Sequence, residues 1–544
     1  LATIVSDVAS WKFSEEKVPD WEAIDFDDSA WKKPVKVGTL GGGPWNLPGL
    51  RSATPVVQLN SADISAPEGF VVEPVYTVPK EQGSWVSMAT DPQGRIYASD
   101  QGGAGLYRMT VQKNAPVIVE KVSVNELSKL SGAQGLLWAF DSLWFHRNGG
   151  HLYRLTDSNG DDQLDSMTEI PSTTGGGEHG NHALILTEDE KGIFVDSGNH
   201  SKLAAHTASR VQSWAEDLLL PRMPDSNGHA NGIMAPGGWV TRLNPKTNEQ
   251  VVHAIGFRNQ YDIALNQAGD LFTYDADMEW DLGSPWYRPT RICHVVSGAD
   301  FGWRHGSGKW PAYYEDSLPA VVDIGPGSPT GVVSGAGLKF PTRFQNGLFA
   351  LDWTFGTIYS IDLKSMGAGY TGTAEPFVYS SPLPVTDAIV GHDGALYFAV
   401  GGRGAQSAVF RVRYVGGESC ASPAKPSLTK AQSRRRALEE YHGVINGDAV
   451  DDAWPELSSE DRFLRHAARV AIESQPIKNW ANRVLAEPNP QARITGAVAL
   501  ARMGDPIHQQ PLFDSLTSLS PEELSETQLL GLLRAYSLGM IRLG

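Results

Sequence analysis

The chain has 544 residues and a formal net charge of −17, so it is too long for one core and too acidic for non-specific binding to nucleic acid or an anionic membrane. Hydrophobic residues make up 41% and charged residues 20%, the balance of an ordinary folded, soluble protein, and no apolar run is long enough to span a bilayer. The 57 glycines and 34 prolines, with 16 Trp, 16 Tyr and 18 Phe, favour many short strands joined by tight turns.

In chain order, residues 1–60 are rich in Trp and Gly (WEAIDFDDSAWKK, then GGGPWN). They read as a remnant of a jelly-roll carbohydrate-binding module. The chain opens on Leu1-Ala2 with no initiator Met, so the expectation is a processed product.

A repeated phrase occupies residues 61–417: a polar turn with Gly or Asp, then an alternating strand ending in an aromatic, then a loop and a second strand. The copies are 91–109, 140–155, a weaker one at 187–198, 266–277, 344–361 and 392–412. Alternation over five to seven residues buries one face of each strand, and the following turn makes a hairpin. Six such units, none able to bury both faces alone, predict a mainly β fold: a six-bladed β-propeller.

Residues 418–432 (ESCASPAKPSLTKAQ) read as a linker. From 433 to 544 the period becomes helical, with apolar residues at i, i+3, i+4 spacing in 462–473, 477–487 and 492–504. Helix pairs separated by Pro-containing turns predict a HEAT-like solenoid, a candidate protein-interaction surface. The cysteines, Cys293 and Cys420, do not fix a redox compartment.

Three groups of residues carry candidate chemistry. In DSNGDDQLDSMT, Asp157, Asn159, Asp161 and Asp165 take positions one, three, five and nine of a calcium loop, with the Gln163 carbonyl at seven. Asp162 replaces the usual glycine and Thr168 the bidentate Glu. In EHGNH and SGNHS, His179, His182 and His200 flank one strand pair, where two or three of them form a candidate transition-metal site. The segment 277–291 packs Glu279, Trp280, Asp281, Trp286, Tyr287, Arg288 and Arg291 into one loop. Such a set reads either as a saccharide subsite or as a self-bracing loop.

The stretch GFRNQYDIALNQAGDLFTYDADMEWDLGSPWYRPTRICHVVSGADFGWRHGSGKWP (256–311) resembles the soluble quinoprotein glucose and sorbosone dehydrogenases. It looks closer still to the large secreted dehydrogenase-like proteins of Planctomycetes and Verrucomicrobia, which join such a propeller to HEAT repeats and a c-type haem domain. The resemblance implies a periplasmic or extracellular enzyme that moves hydride from a sugar or polyol hydroxyl to pyrroloquinoline quinone. His179 would be the general base, with Glu178 in place of the family's Asp beside it. Arg258 and Asn259 match the Arg-Asn that faces the quinone, and Asp275 and Asp277 fall where calcium is held. The family's R-x-R-D phrase of the last blade is here PVTD (384–387), without either arginine, and Arg403 in GGRG is the candidate replacement. No C-x-x-C-H motif is present, so the resemblance puts any c-type cytochrome acceptor on a separate chain or segment.

Two other readings stand beside this one. A metal-dependent polysaccharide lyase or hydrolase would use the histidines as ligands and Arg258, Arg288 or Arg291 to grip an acidic sugar. A non-catalytic carbohydrate-binding or scaffolding module would need neither cofactor nor base.

Overall fold

The computed structural model describes residues 12, 27–32, 61–113, 115–124, 130–171, 174–203, 208–225, 228–277 and 283–544. The chain divides into two compact units, Leu1–Gln58 and Leu59–Gly544. Within the first, the Lys12 ammonium lies 2.7 Å from the Asp28 carboxylate, and most of the segment read as a jelly-roll remnant lies outside the described residues.

The second unit contains six four-stranded antiparallel sheets arranged as propeller blades, one of them with a short fifth strand, and so fulfils the six-bladed expectation. Blade 1 runs from Trp85–Thr90 to Ile118–Lys121, blade 2 from Ala133–Ala139 to Ser166–Ile170, and blade 3 from Asn181–Leu186 to Gln250–Phe257. Blade 4 runs from Ile263–Leu265 to Val322–Gly325 and blade 5 from Pro329–Ser334 to Gly369–Tyr379. Blade 6 takes three strands from Val385–Tyr414 and its outermost strand, Phe70–Thr77, from the start of the unit, pairing Phe70 with Tyr414 and Thr77 with Ala408. That strand closes the ring and carries no copy of the repeated phrase.

Each copy of the phrase falls on the middle of a blade for a local reason. In three blades the turn is closed by an Asp or Asn side chain that accepts backbone N–H groups: Asp91 from Gln93 and Arg95, Asn266 from Ala268 and Asp270, Asp393 from Ala395. The glycine that follows each, Gly94, Gly269 or Gly394, has φ near +80° (81°, 84° and 80°), where a side chain is strained. The next strand is covered on both faces by neighbouring blades, so Leu271–Asp275 and Leu396–Val400 are buried at every residue.

The six inner strands stand around the axis and do not ladder with one another, so side chains must join them. At the interface of blades 1 and 2, Ser99 Oγ accepts from Ala133 N–H (3.1 Å). His146 Nδ1 donates to the His182 carbonyl (2.8 Å), and His182 Nδ1 donates to the Gln260 carbonyl (2.8 Å). Asp262 accepts from Val332 N–H (2.8 Å), Thr330 donates to the Val385 carbonyl (2.9 Å), and Asp387 accepts from Met88 N–H (2.5 Å). His182 thus serves as a blade-to-blade latch: its Nδ1 is committed, its ring lies against Tyr261, and burial pushes its pKa down to about 3.

Burial also pushes the Asp387 carboxyl up to about 7, and burial together with Asp387 raises Asp262 well above the usual range. A carboxyl whose pKa is raised by folding adds stability that is present below the ordinary Asp range and is lost as pH rises through the folded value. Wild-type protein should therefore lose more stability than D387N between about pH 5 and about pH 8, the span that lies above the ordinary Asp pKa of ~4 and carries the folded carboxyl through its titration. Equal pH slopes of the urea midpoint in the two proteins would remove this account of the latch.

The C-terminal region is helical, with helices Lys430–Glu439, Ala449–Ala453, Arg462–Glu473, Ala481–Leu485, Pro490–Met503, Gln509–Thr517 and Glu526–Arg542. Thr429 and Ser525 begin their helices with reciprocal capping boxes, and Asp461 and Asn489 accept first-turn N–H groups. The helices share a core that includes Leu438, Trp454, Ile472, Trp480, Leu500 and Leu538. They are fused to blade 4 through buried ion pairs, Arg435 with Asp270 (2.6 Å), Arg465 with Glu315 (2.7 Å) and Arg534 with Asp316 (2.7 Å). One side of the helical layer is thereby occupied by the propeller.

Candidate functional site

The inner strands enclose a channel with a cavity at each end. At the end where the strands begin lies a pocket of about 450 Å³, reached by Val86, Gln134, His179, Tyr261, Thr330 and Thr386, one from each blade. At the other end a cavity of about 390 Å³ is bordered mainly by apolar strand residues, with Asp262 and Asp387. Gln134 and Tyr261 line both cavities, and Tyr261 donates across the channel to the Val86 carbonyl (3.3 Å).

The first pocket holds the polar groups that converge. His179 sits just before the inner strand of blade 3 and is buried. Its Nδ1 is 2.6 Å from Asn199 Oδ1, so Nδ1 carries the hydrogen and Nε2 keeps its lone pair. Burial, then the nearby Arg258 charge and His200, hold its pKa well below the usual imidazole range. It is a neutral base at physiological pH.

The phrase SGNHS explains the local geometry. Gly198 N–H donates to the Gly180 carbonyl (2.9 Å), and a Cβ on Gly198 would lie 2.7 Å from the His179 carbonyl oxygen. Asn199 N–H donates to the Arg258 carbonyl (2.9 Å), and His200 N–H to the His179 carbonyl (3.0 Å). His200 then stacks on His179 with ring centroids 4.3 Å apart. His229, from the long connection between the second and third main strands of blade 3, brings a third imidazole to 5.1 Å from His179 and 5.8 Å from His200. The histidine group is therefore His179, His200 and His229, with His182 replaced.

Arg258 and Asn259 line the same pocket. Both their backbone N–H groups donate to Asp275 Oδ1, at 3.1 and 3.2 Å, which fixes the dipeptide at the pocket wall. Asp275 and Asp277 are buried and closed by guanidinium groups. Arg291 is 3.5 Å from Asp275 and 3.2 Å from Asp277, and Arg288 is 2.5 Å from Asp277. Burial and the Asp277 charge raise the Asp275 carboxyl to about 6, against the pull of Arg291. Arg288 and Arg291 thus brace the acidic loop from behind, and neither lines the pocket. Of the other expected saccharide contacts, Trp286 and Tyr287 are half-buried outside the pocket lining, and Glu279, Trp280 and Asp281 lie outside the described residues.

Glu178 does not orient His179; Asn199 does. The Glu178 carboxylate instead pairs with Arg403 from blade 6, bridging opposite sides of the pocket mouth. Arg403 also lies over the Trp353 ring (5.4 Å), and its own backbone N–H donates to Gln101 Oε1 (2.6 Å).

The loop expected to bind calcium joins the outer strands of blade 2. The Asp157 carboxylate accepts from the N–H groups of Asn159, Gly160, Asp161 and Asp162. Asn159 Oδ1 accepts from Asp161 N–H, Asp161 from Gln163 N–H, and Asp165 from Ser158. These bonds shape the loop.

No family model matches the chain, and no curated protein does. Solved structures do. A glucose-dehydrogenase-type putative oxidoreductase from Thermus thermophilus is 18% identical, with TM-score 0.44 over 63% of this chain and 100% of its own. The quinone-bound aldose sugar dehydrogenase of Streptomyces coelicolor is 13% identical, with TM-score 0.43 over 64% and 99%. The pyranose dehydrogenase quinone domain of Coprinopsis cinerea is 10% identical, with TM-score 0.45 over 64% and 97%. The likeness is one of propeller fold.

Pyrroloquinoline quinone with its calcium requires cations for three carboxylates and oxygen ligands for the metal. Of the arginines named above, the pocket offers Arg258 and Arg403, and Arg403 is already paired with Glu178. The acidic pair meant for calcium is taken up by Arg288 and Arg291. This donor set does not fit that cofactor.

Proposed function

We propose that the channel-mouth pocket is the active site of an oxidoreductase-like enzyme that acts on a hydroxyl of a sugar or polyol. The observation that supports it most is the buried neutral His179, its Nδ1 fixed by Asn199, beside the Arg258–Asn259 wall of a cavity of about 450 Å³. A hydroxyl placed against the imidazole group gives up its proton there, and the Arg258 guanidinium stabilises the developing alkoxide. The C–H hydride then leaves to a two-electron acceptor, which becomes reduced. A separate c-type cytochrome as final acceptor, a periplasmic or extracellular location, calcium in the blade 2 loop, and HEAT-like use of the free side of the helical layer as a docking surface belong to the same proposal.

A metal-dependent lyase or hydrolase for an acidic saccharide is the second reading. It is favoured by the three converging imidazoles and by the poor match to the quinone.

A panel of sugars, polyols and acidic polysaccharides, assayed with a dye acceptor and with or without added quinone, separates the readings. We expect dye reduction by at least one sugar or polyol, lowered about 100- to 10,000-fold in His179→Ala. Depolymerisation without any acceptor would install the second reading, and saccharide binding with no turnover would make the propeller a non-catalytic module.

A further inference from the structure

We propose that His179, His200 and His229 form a site for one divalent transition-metal ion of the zinc type, open to the channel-mouth pocket. As a binding site it stands apart from the sugar reading; as a reactive centre it rests on it.

The argument begins with distance. One ring nitrogen from each histidine lies within 4.8 Å of the others. Three imidazole nitrogens at about 2.1 Å from a common ion are about 3.4–3.6 Å apart, so about 1 Å of ring movement completes the site. His200 and His229 are half-buried, and His179 is held at Nδ1 by Asn199.

The surroundings are those of ligands that are oriented before they bind. Asn199 holds His179 Nδ1 (2.6 Å), which aims the Nε2 lone pair, and the His305 ring donates to the His229 carbonyl (3.0 Å), tying down the long connection. All three donors are imidazole nitrogens, a set that suits zinc, cobalt, nickel or copper and not calcium or magnesium.

Access comes from two sides. His179 lines the channel-mouth pocket, and His200 lines a second cavity bordered by Ile233, Met234 and Trp239. Three protein ligands with a fourth position facing a cavity is the arrangement in which a metal takes up water or a substrate hydroxyl. With the ion bound, His179 Nε2 is a ligand and no longer the base, and the ion in its place would lower the pKa of that hydroxyl beside Arg258.

The test is metal binding by the full chain after chelator treatment. Cobalt(II) should bind one per chain with the visible absorption of a low-coordinate nitrogen site, and zinc should displace it. His200→Ala and His229→Ala should each weaken zinc at least tenfold, while His392→Ala, on an exposed turn, should not. Circular dichroism of the His229 variant guards against misfolding, since its side chain is only half-buried. No stoichiometric cobalt or zinc at tens of micromolar, or binding that survives His229→Ala unchanged, overturns the site. Stoichiometric metal without turnover of any saccharide upholds the site and counts against the proposed function. Sugar oxidation by protein that binds no metal overturns the site and leaves that function standing.

Discussion

Arg534→Met should destabilise the protein by about 3–5 kcal/mol, a large part of the total stability of a typical domain. Arg534 Nε is 2.8 Å from Asp316 Oδ1, and its Nη2 is 2.7 Å from Asp316 Oδ2 and 2.5 Å from Asp217 Oδ2. Its guanidinium also lies 3.9 Å from the Tyr314 ring centroid and 4.6 Å from that of Trp310. The surrounding layer is balanced: Arg304, Arg469, Arg502 and Arg534 face Asp217, Asp300, Asp316 and Glu473, all buried. Burial alone would raise the Asp316 carboxyl, yet Arg534 and Arg502 hold it far below the usual range. Removing one cation leaves a buried negative charge without its partner, which costs more than the pair contributes. The double variant Arg534→Met with Asp316→Asn restores the balance and should recover part of the loss. A urea midpoint unchanged in the single variant would show that this layer does not hold propeller and helices together.

Arg291→Met should couple a comparable loss of stability to a weaker pocket. Arg291 is the cation beside Asp275, and Asp275 Oδ1 holds the N–H groups of Arg258 and Asn259. Without Arg291, burial and the Asp277 charge raise Asp275 further above its value of about 6, so that it protonates near neutral pH and becomes a poorer acceptor. We expect faster hydrogen exchange at the Arg258 and Asn259 amides and at least about tenfold weaker binding of a pocket ligand, or ~1.4 kcal/mol. Asp275→Asn in the same background should not weaken it again, because the carboxylate is already neutral. Wild-type exchange at both amides in Arg291→Met would disconnect the acidic loop from the site.

The blades were legible because their signal is local. An Asx turn closed by a left-handed glycine, followed by a strand buried on both faces, leaves the same phrase wherever it recurs, as at Asp91, Asn266 and Asp393. The helix at 462–473 was legible through its 3.6-residue period, and it spans Arg462–Glu473. The closing strand Phe70–Thr77 was not, since its partner lies more than 300 residues away and its own alternation belongs to any edge strand.

The site divides in the same way. The sequence by itself placed His179 and His200 as candidates, because EHGNH and SGNHS flank one strand pair, and the resemblance of 256–311 added Arg258 and Asn259. Only the tertiary structure decided their company. It brought in His229 from a connection with no spacing relation to EHGNH, and it turned His182 along the channel as a latch. It gave Asn199 the orienting role assigned to Glu178, and sent Glu178 across the mouth to Arg403. It also closed Asp275 and Asp277 with Arg288 and Arg291. The physical reason is common to them all: a buried polar group must find a partner in space, and in a ring of blades that partner is set by which strands face each other, not by distance along the chain.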